Sequence, residues 1–206
     1  AHDISPRITV YAWDSGFGTK YSDPSPEPTN DGYAVAFSPD GADIAVAHPN
    51  SPNITAYPWS SGFGSKYANP STLPAGTGRS VAFSPDGSDI AVAHTGVPYI
   101  TVYEWSSGFG SKYANPSTYP GGTSYAVTFS PDGADIAVGY SSSPRFSVYP
   151  WSSGFGSKYS DPSTEPTGSG RSVAFSPDGS DIAVAHNSSP YISVYPWSSG
   201  FGTKYS

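Results

Sequence analysis

The chain has no cysteine, no methionine, only nine lysine and arginine residues, and no long apolar run. Without cysteine there is neither a disulfide framework nor a thiolate metal site, and the compartment is left open. The missing methionine, even at position 1, points to a processed chain or an excerpt. Nine cations against 16 carboxylates give a formal charge of −7. That is the wrong sign for a phosphate-binding surface, so no nucleic-acid partner is expected. No apolar stretch approaches the roughly 18 residues of a membrane helix, and no charged segment leads into a shorter apolar one. Neither a membrane span nor an uncleaved signal peptide is therefore expected.

What is present is glycine, proline and aromatic side chains. Gly 23 and Pro 22 exceed a fifth of the 206 residues, which without a period would indicate disorder. The aromatic share of 15% and the fixed recurrence of the turn residues point instead to a turn-dense, all-β chain. The length fits one domain, residues 1–206, with a sizeable core.

The period is explicit. Tryptophan occurs only at 13, 59, 105, 151 and 197, and "FSPDG" begins at 37, 83, 129 and 175, each step being 46 residues. A repeat of this length implies units that bury their faces only against neighbours. The repeats run 33–78, 79–124, 125–170 and 171–206, preceded by a half unit with its loop at 1–32. Within 79–124, "RSVAFSPDG" reads as a strand entering a turn in which Pro85 presets φ and Gly87 takes a positive φ. "SDIAVAH" (88–94) is a second strand, apolar on both faces and therefore buried on both. "VPYITVYEW" (97–105) alternates as a third strand, "SSGFG" (106–110) is a glycine turn, and "SKYANPS" (111–117) is a short fourth strand. Repeats also alternate. Positions 33, 79, 125 and 171 read Tyr, Arg, Tyr, Arg, so a two-unit block was duplicated.

"SVAFSPDGSDIAVAH" followed by "YITVYEW" resembles a blade of the WD-repeat β-propellers, and the resemblance covers essentially the whole chain. It implies a β-propeller of four-stranded antiparallel blades, about four and a half blades per chain. The pattern departs from the family where Trp-Asp should close the third strand: it occurs once, at Trp13-Asp14, and Trp-Ser stands elsewhere. The family's Gly-His pair is missing, so its hydrogen-bond network is not carried over. Near-identical tandem copies also resemble repeat arrays of bacterial and phage surface proteins.

Residues 1–22 match 185–206 at 16 of 22 positions. Both ends thus carry the outer half of a blade, and both compete for one place. An unpaired half blade exposes an edge and aromatic side chains, which favours completing the ring through a second chain by strand exchange. A homo-oligomer is expected.

Catalytic motifs are absent. "SGFGSKY" (61–67) lacks the spacing of a phosphate loop, no Gly-x-Ser-x-Gly occurs, and no Ser, His and Asp set differs from its copies. His2, His48, His94 and His186 share one repeat position, with Tyr140 in the remaining copy. Spread around a ring they are poorly placed for one metal ion, so neither metal nor cofactor is expected. Asp40, Asp86, Asp132 and Asp178 stabilise the "SPDG" turns. Asn53-Ile-Thr and Asn187-Ser-Ser match a glycosylation sequon.

The reading that follows is a non-catalytic, multivalent module recognising a glycan or surface polymer, extracellular or on a virion, with no membrane insertion. The alternative is a structural or protein-interaction ring. Variable loops between second and third strands, and between successive repeats, share one rim. There Arg79, Arg171, Tyr99, Tyr191, Tyr33, Tyr125, His94 and His186 are the expected ligand-binding residues.

Overall fold

A computed structural model describes residues 1–206. The chain is all-β, with no helix, and forms five small antiparallel sheets. A two-stranded sheet, β1 (Tyr11–Trp13) and β2 (Phe17–Lys20), comes first. Then follow β3 (Ala34–Phe37), β4 (Asp43–Ala47) and β5 (Ile54–Pro58), and after them β6 (Gly78–Phe83), β7 (Asp89–His94), β8 (Ile100–Trp105) and β9 (Phe109–Lys112). β10 (Ser124–Phe129), β11 (Asp135–Tyr140) and β12 (Phe146–Pro150) form the fourth sheet, and β13 (Gly170–Phe175), β14 (Asp181–His186) and β15 (Ile192–Pro196) the last.

Each sheet grows from the "SPDG" turn outward. In the second repeat the Ser84 Oγ donates to Asp86 at 2.6 Å and accepts the Asp89 amide at 2.9 Å, while the Gly87 amide donates to the Ser84 carbonyl at 2.9 Å. Gly87 sits at φ 75°, where a Cβ would be strained. The turn fixes the β6–β7 register, Phe83 opposite Ile90 and Val81 opposite Val92. The same bonds recur at Ser38, Ser130 and Ser176.

β7 is buried on both faces, and its two faces lie in different cores. Ile90 and Val92 pack with Ala45, Ala47 and Ile54 of the preceding sheet, whereas Ala91 and Ala93 pack with Val127, Phe129 and Trp151 of the following one. An alanine face thus receives the aromatic and branched face of the next sheet. The third junction repeats it, with Ala137 against Val173 and Trp197.

Two strand expectations change. The third strand begins at Ile100, because Val97 to Tyr99 belong to the loop before it. The fourth strand is shorter and earlier than 111–117. It is a ladder only as β9 beside β8 and as β2 beside β1; the other repeats show a single bridge, Trp59 to Phe63, Trp151 to Phe155 and Trp197 to Phe201. The residue before the tryptophan decides this. Its main-chain polar groups face the fourth strand, since the Gly64 and Gly156 amides donate to the Pro58 and Pro150 carbonyls at 2.8 Å. Ala12 and Glu104 supply an N–H at that place, and Pro58, Pro150 and Pro196 have none to give.

Candidate functional site

Antiparallel connectivity puts the loops between second and third strands, together with the links between repeats, on one rim. The "SPDG" and "SSGFG" turns lie on the other. On the loop rim the five copies (2–7, 48–53, 94–99, 140–145, 186–191) share one backbone. Each passes through a cis X-Pro bond into a residue with positive φ: Arg7 at 66°, Asn53 at 68°, Tyr99 at 70°, Arg145 at 78° and Tyr191 at 69°. That residue's amide closes the loop and its carbonyl caps the second strand; in repeat two the Tyr99 amide donates to Gly96 at 2.6 Å and the Tyr99 carbonyl accepts from His94 at 2.9 Å. The next repeat leans directly on this carbonyl. A Cβ at Gly78 would collide with the Asn53 oxygen, and one at Gly170 with the Arg145 oxygen.

The side chains at this left-handed position differ in how they are engaged. Arg145 donates to the Ser141 carbonyl at 2.7 Å, Arg7 donates to the Asp3 carbonyl and pairs with Asp31 at 3.6 Å, and Asn53 donates to Pro49 at 3.0 Å. Tyr99 is half-buried and Tyr191 exposed, and neither phenol has a hydrogen-bond partner in the chain. Arg79 and Arg171 stack across repeats, their guanidinium carbons 4.8 Å and 4.2 Å from the ring centroids of Tyr33 and Tyr125. The alternation of Tyr and Arg along the chain therefore builds two cation–π pairs on the first strands. Their partners are each other.

His94 and His186 are buried, so they offer a ligand no surface. Their Nε2 atoms meet Thr101 at 2.9 Å and Ser193 at 3.1 Å, as His48 meets Thr55 at 2.8 Å and His2 meets Thr9 at 2.7 Å. Burial pushes His48 and His94 down to about 4, so both are neutral near pH 7. Tyr140 takes over this role, its hydroxyl 2.7 Å from Ser147. No group of three His, Asp or Glu side chains is placed to hold a metal ion.

No protein-family model matches the chain, and no curated protein matches it in sequence. The fold has solved counterparts. One is hydrazine synthase of Kuenenia stuttgartiensis, aligned over 80% of this chain with a TM-score of 0.60 and 16% identity. The chain spans 45% of that structure's length, and the likeness concerns the fold alone.

The turn rim carries what the sequence reading missed. Between consecutive sheets lie three polar cavities of about 520, 200 and 310 Å³, while none of the eight residues expected to bind a ligand lines a cavity. Behind each cavity a buried carboxylate accepts an indole N–H from the next sheet, and at Asp43 a phenol as well, while the second oxygen of Asp89 and of Asp135 has no partner. The Asp43 Oδ1 accepts the Tyr67 hydroxyl at 2.7 Å and its Oδ2 the Trp105 Nε1 at 2.9 Å. Trp151 donates in the same way to Asp89, and Trp197 to Asp135, both at 2.9 Å and both 62 residues along the chain. Burial, followed by the bond to Asp43, pushes the Tyr67 phenol up to about 12, and burial beside the Asp89 carboxylate does the same to Tyr113. Burial likewise raises the Asp135 carboxyl, against the pull of Trp197 and Tyr159. The signal in sequence was the constant spacing of "SDIAV" and "YxW", which separately look like ordinary strands.

Proposed function

We propose that the chain builds a β-propeller of 46-residue blades, and that the ring is a non-catalytic, multivalent binding module for a glycan or another surface polymer, displayed outside the cell or on a virion. The propeller reading rests on sheets packed side by side in chain order, each first strand meeting the first strand of the next. The binding reading rests on one observation above the others. Tyr99 and Tyr191 occupy a left-handed conformation that disfavours a bulky residue by about 1–2 kcal/mol, keep it on an outward loop, and have phenols with no partner in the chain. An aromatic ring with a free hydroxyl stacks on a sugar face and hydrogen-bonds its hydroxyls. Repetition on a rigid frame then multiplies weak single-site affinity, by about 10² to 10⁴ where two sites engage together.

A glycan array printed at high density tests this. Tyr99→Asn with Tyr191→Asn, the residue that repeat one already carries at Asn53, keeps the backbone and removes both rings. The expected result is a specific signal that falls at least about tenfold in the double variant, with an unchanged Tm. No signal for the parent chain at any density favours the structural ring instead, for which the nearly uniform turn rim is the natural contact surface.

A further inference from the structure

The bond from tryptophan to aspartate is made at three places, with a tyrosine joining it at Asp43, and its parts are separated at the two ends of the row of sheets. Between the first and second sheets, Tyr21 and Trp59 stand edge to face with centroids 5.1 Å apart at 85°. The three joined sites have the same aromatic pairs: Tyr67 with Trp105 at 5.4 Å and 90°, Tyr113 with Trp151 at 5.1 Å and 88°, and Tyr159 with Trp197 at 5.1 Å and 88°. Yet no carboxylate reaches the hydroxyl of Tyr21 or the indole N–H of Trp59. At the last sheet the reverse holds. The Asp181 Oδ1 accepts Tyr205 at 2.9 Å, and its Oδ2 receives no indole. Asp43, Asp89 and Asp135 each serve a tryptophan already, so Asp181 is the aspartate of this type left to serve Trp59. Contacts between sheets pass from β3 to β6 to β10 to β13, with no comparable contact between β3 and β13 within one chain.

The apolar faces are split in the same way. Val35 and Phe37 of β3 are 43% and 46% exposed, where the equivalent Val81 and Phe83 are 6% and 9%. In the complete junctions that face rests on the alanines of the preceding sheet. On the last sheet the corresponding Ala183 and Ala185 lack the full cover that Ala91 and Ala93 enjoy. One end therefore offers the face that the other lacks.

We infer that a second copy of this chain docks here, its Asp181 entering the Tyr21–Trp59 cradle while β1 and β2 complete its β13–β14 pair in place of β15. The inference rests on the propeller reading above and names the residues of its closure. β1–β2 is the better outer pair for two reasons. Ile8 and Val10 already pack against Ile44, Val46 and Tyr57 of the following sheet, whereas Ile192 at the matching position is exposed. Ala12 also lets β1 carry a ladder to β2, while Pro196 limits the competing strand to one bridge. Two reciprocal exchanges close two chains into eight sheets.

Mass by light scattering across a dilution series, without any ligand, tests the exchange in the full chain. The parent is expected at twice 21.4 kDa. Trp59→Phe, Tyr21→Phe and Asp181→Asn should each move its dissociation to a concentration at least about tenfold higher, the loss of a hydrogen bond to a charged group. Trp59→Phe and Asp181→Asn together should cost no more than either alone. Tyr205→Phe should move the dissociation to lower concentration, because it removes a bond to Asp181 that only the single chain makes. A parent that stays at one chain, a Trp59→Phe variant without effect, or weakening by Tyr205→Phe in place of Tyr21→Phe overturns the proposal. Masses that climb beyond two chains mean an open stack and overturn the propeller closure with it. Failure to bind carbohydrate leaves this readout untouched.

Discussion

The junction between the third and fourth sheets and the outer face of the first sheet are made of the same residue types. At the junction Trp151 is 6% exposed, rests edge-to-face on Tyr113, Phe129 and Phe155, and donates to Asp89. At the outer face Trp13, its counterpart 138 residues earlier (151 minus 13), is 71% exposed and keeps only Phe17 beside it. Local sequence does not separate them, for "YAW" and "YPW" sit in the same 46-residue frame. The difference is whether another sheet's Tyr and Asp stand opposite. In this architecture one repeat supplies half a core, and stability resides in junctions more than in sheets.

The comparison breaks most visibly at the tryptophans. Trp151→Ala should cost about 3–5 kcal/mol, the range for emptying a packed aromatic site. Trp13→Ala in the dilute single chain should lie within about 0.5 kcal/mol, as for a surface change. Chemical denaturation at nanomolar concentration compares the two, and equal losses would mean that the outer face is already covered.

Acid probes the junction through its histidines. The folded-state values of His48 and His94, about 4, lie below the ordinary 6.5, so the unfolded chain takes up protons first. Their contribution is fully present above pH 6.5 and is lost as the pH falls toward 4. By pH 5 each should have withdrawn about 2 kcal/mol. Denaturation midpoints between pH 7 and pH 4.5 give the slope. Tyr140 suggests how to remove it, with a companion change. A Cβ at Gly121 would meet the Tyr140 ring at 2.9 Å, and Ala75 occupies that position one repeat earlier. His94→Tyr alone should overpack by about 1–3 kcal/mol. With Ala75→Gly added, most of the loss should return and the His94 share of the pH slope should vanish.

The smallest effect sharpens the contrast between ladders and bridges. Pro150→Glu restores the N–H that Glu104 supplies in the second repeat. It should extend the Trp151–Phe155 bridge into a strand worth about 0.5–1.5 kcal/mol, read as new amide protection at residues 155–158. Unchanged protection would remove proline as the reason for the short fourth strands.

Those strands show where the sequence was readable and where it was not. The turns, the doubly buried second strand and the alternating third strand follow from Pro85, Gly87 and the apolar pattern of "DIAVAH", which act within a few residues. The proline before Trp59, Trp151 and Trp197 was equally visible, but its effect depends on which side its N–H would have faced, and that requires the register. His94 and His186, expected on a recognition rim, sit at a strand end, buried and turned to the third-strand hydroxyls of Thr101 and Ser193, seven residues on. The left-handed position of Tyr99 and Tyr191 follows Pro98 and Pro190 in every copy, yet nothing in the string distinguishes a strained loop residue from the first residue of a strand.

The amino-acid order by itself determined the 46-residue period, the strand and turn chemistry of each unit and the duplicated outer half at both ends, because these depend on neighbours close in sequence. Tertiary structure decided which of five equivalent tryptophans is buried, which of four aspartates lacks its indole, and which tyrosines remain free. Near-identical repeats carry near-identical local preferences, while burial is a property of the surface opposite, 62 residues away along the chain at each bond from tryptophan to aspartate or on no part of the chain at its ends.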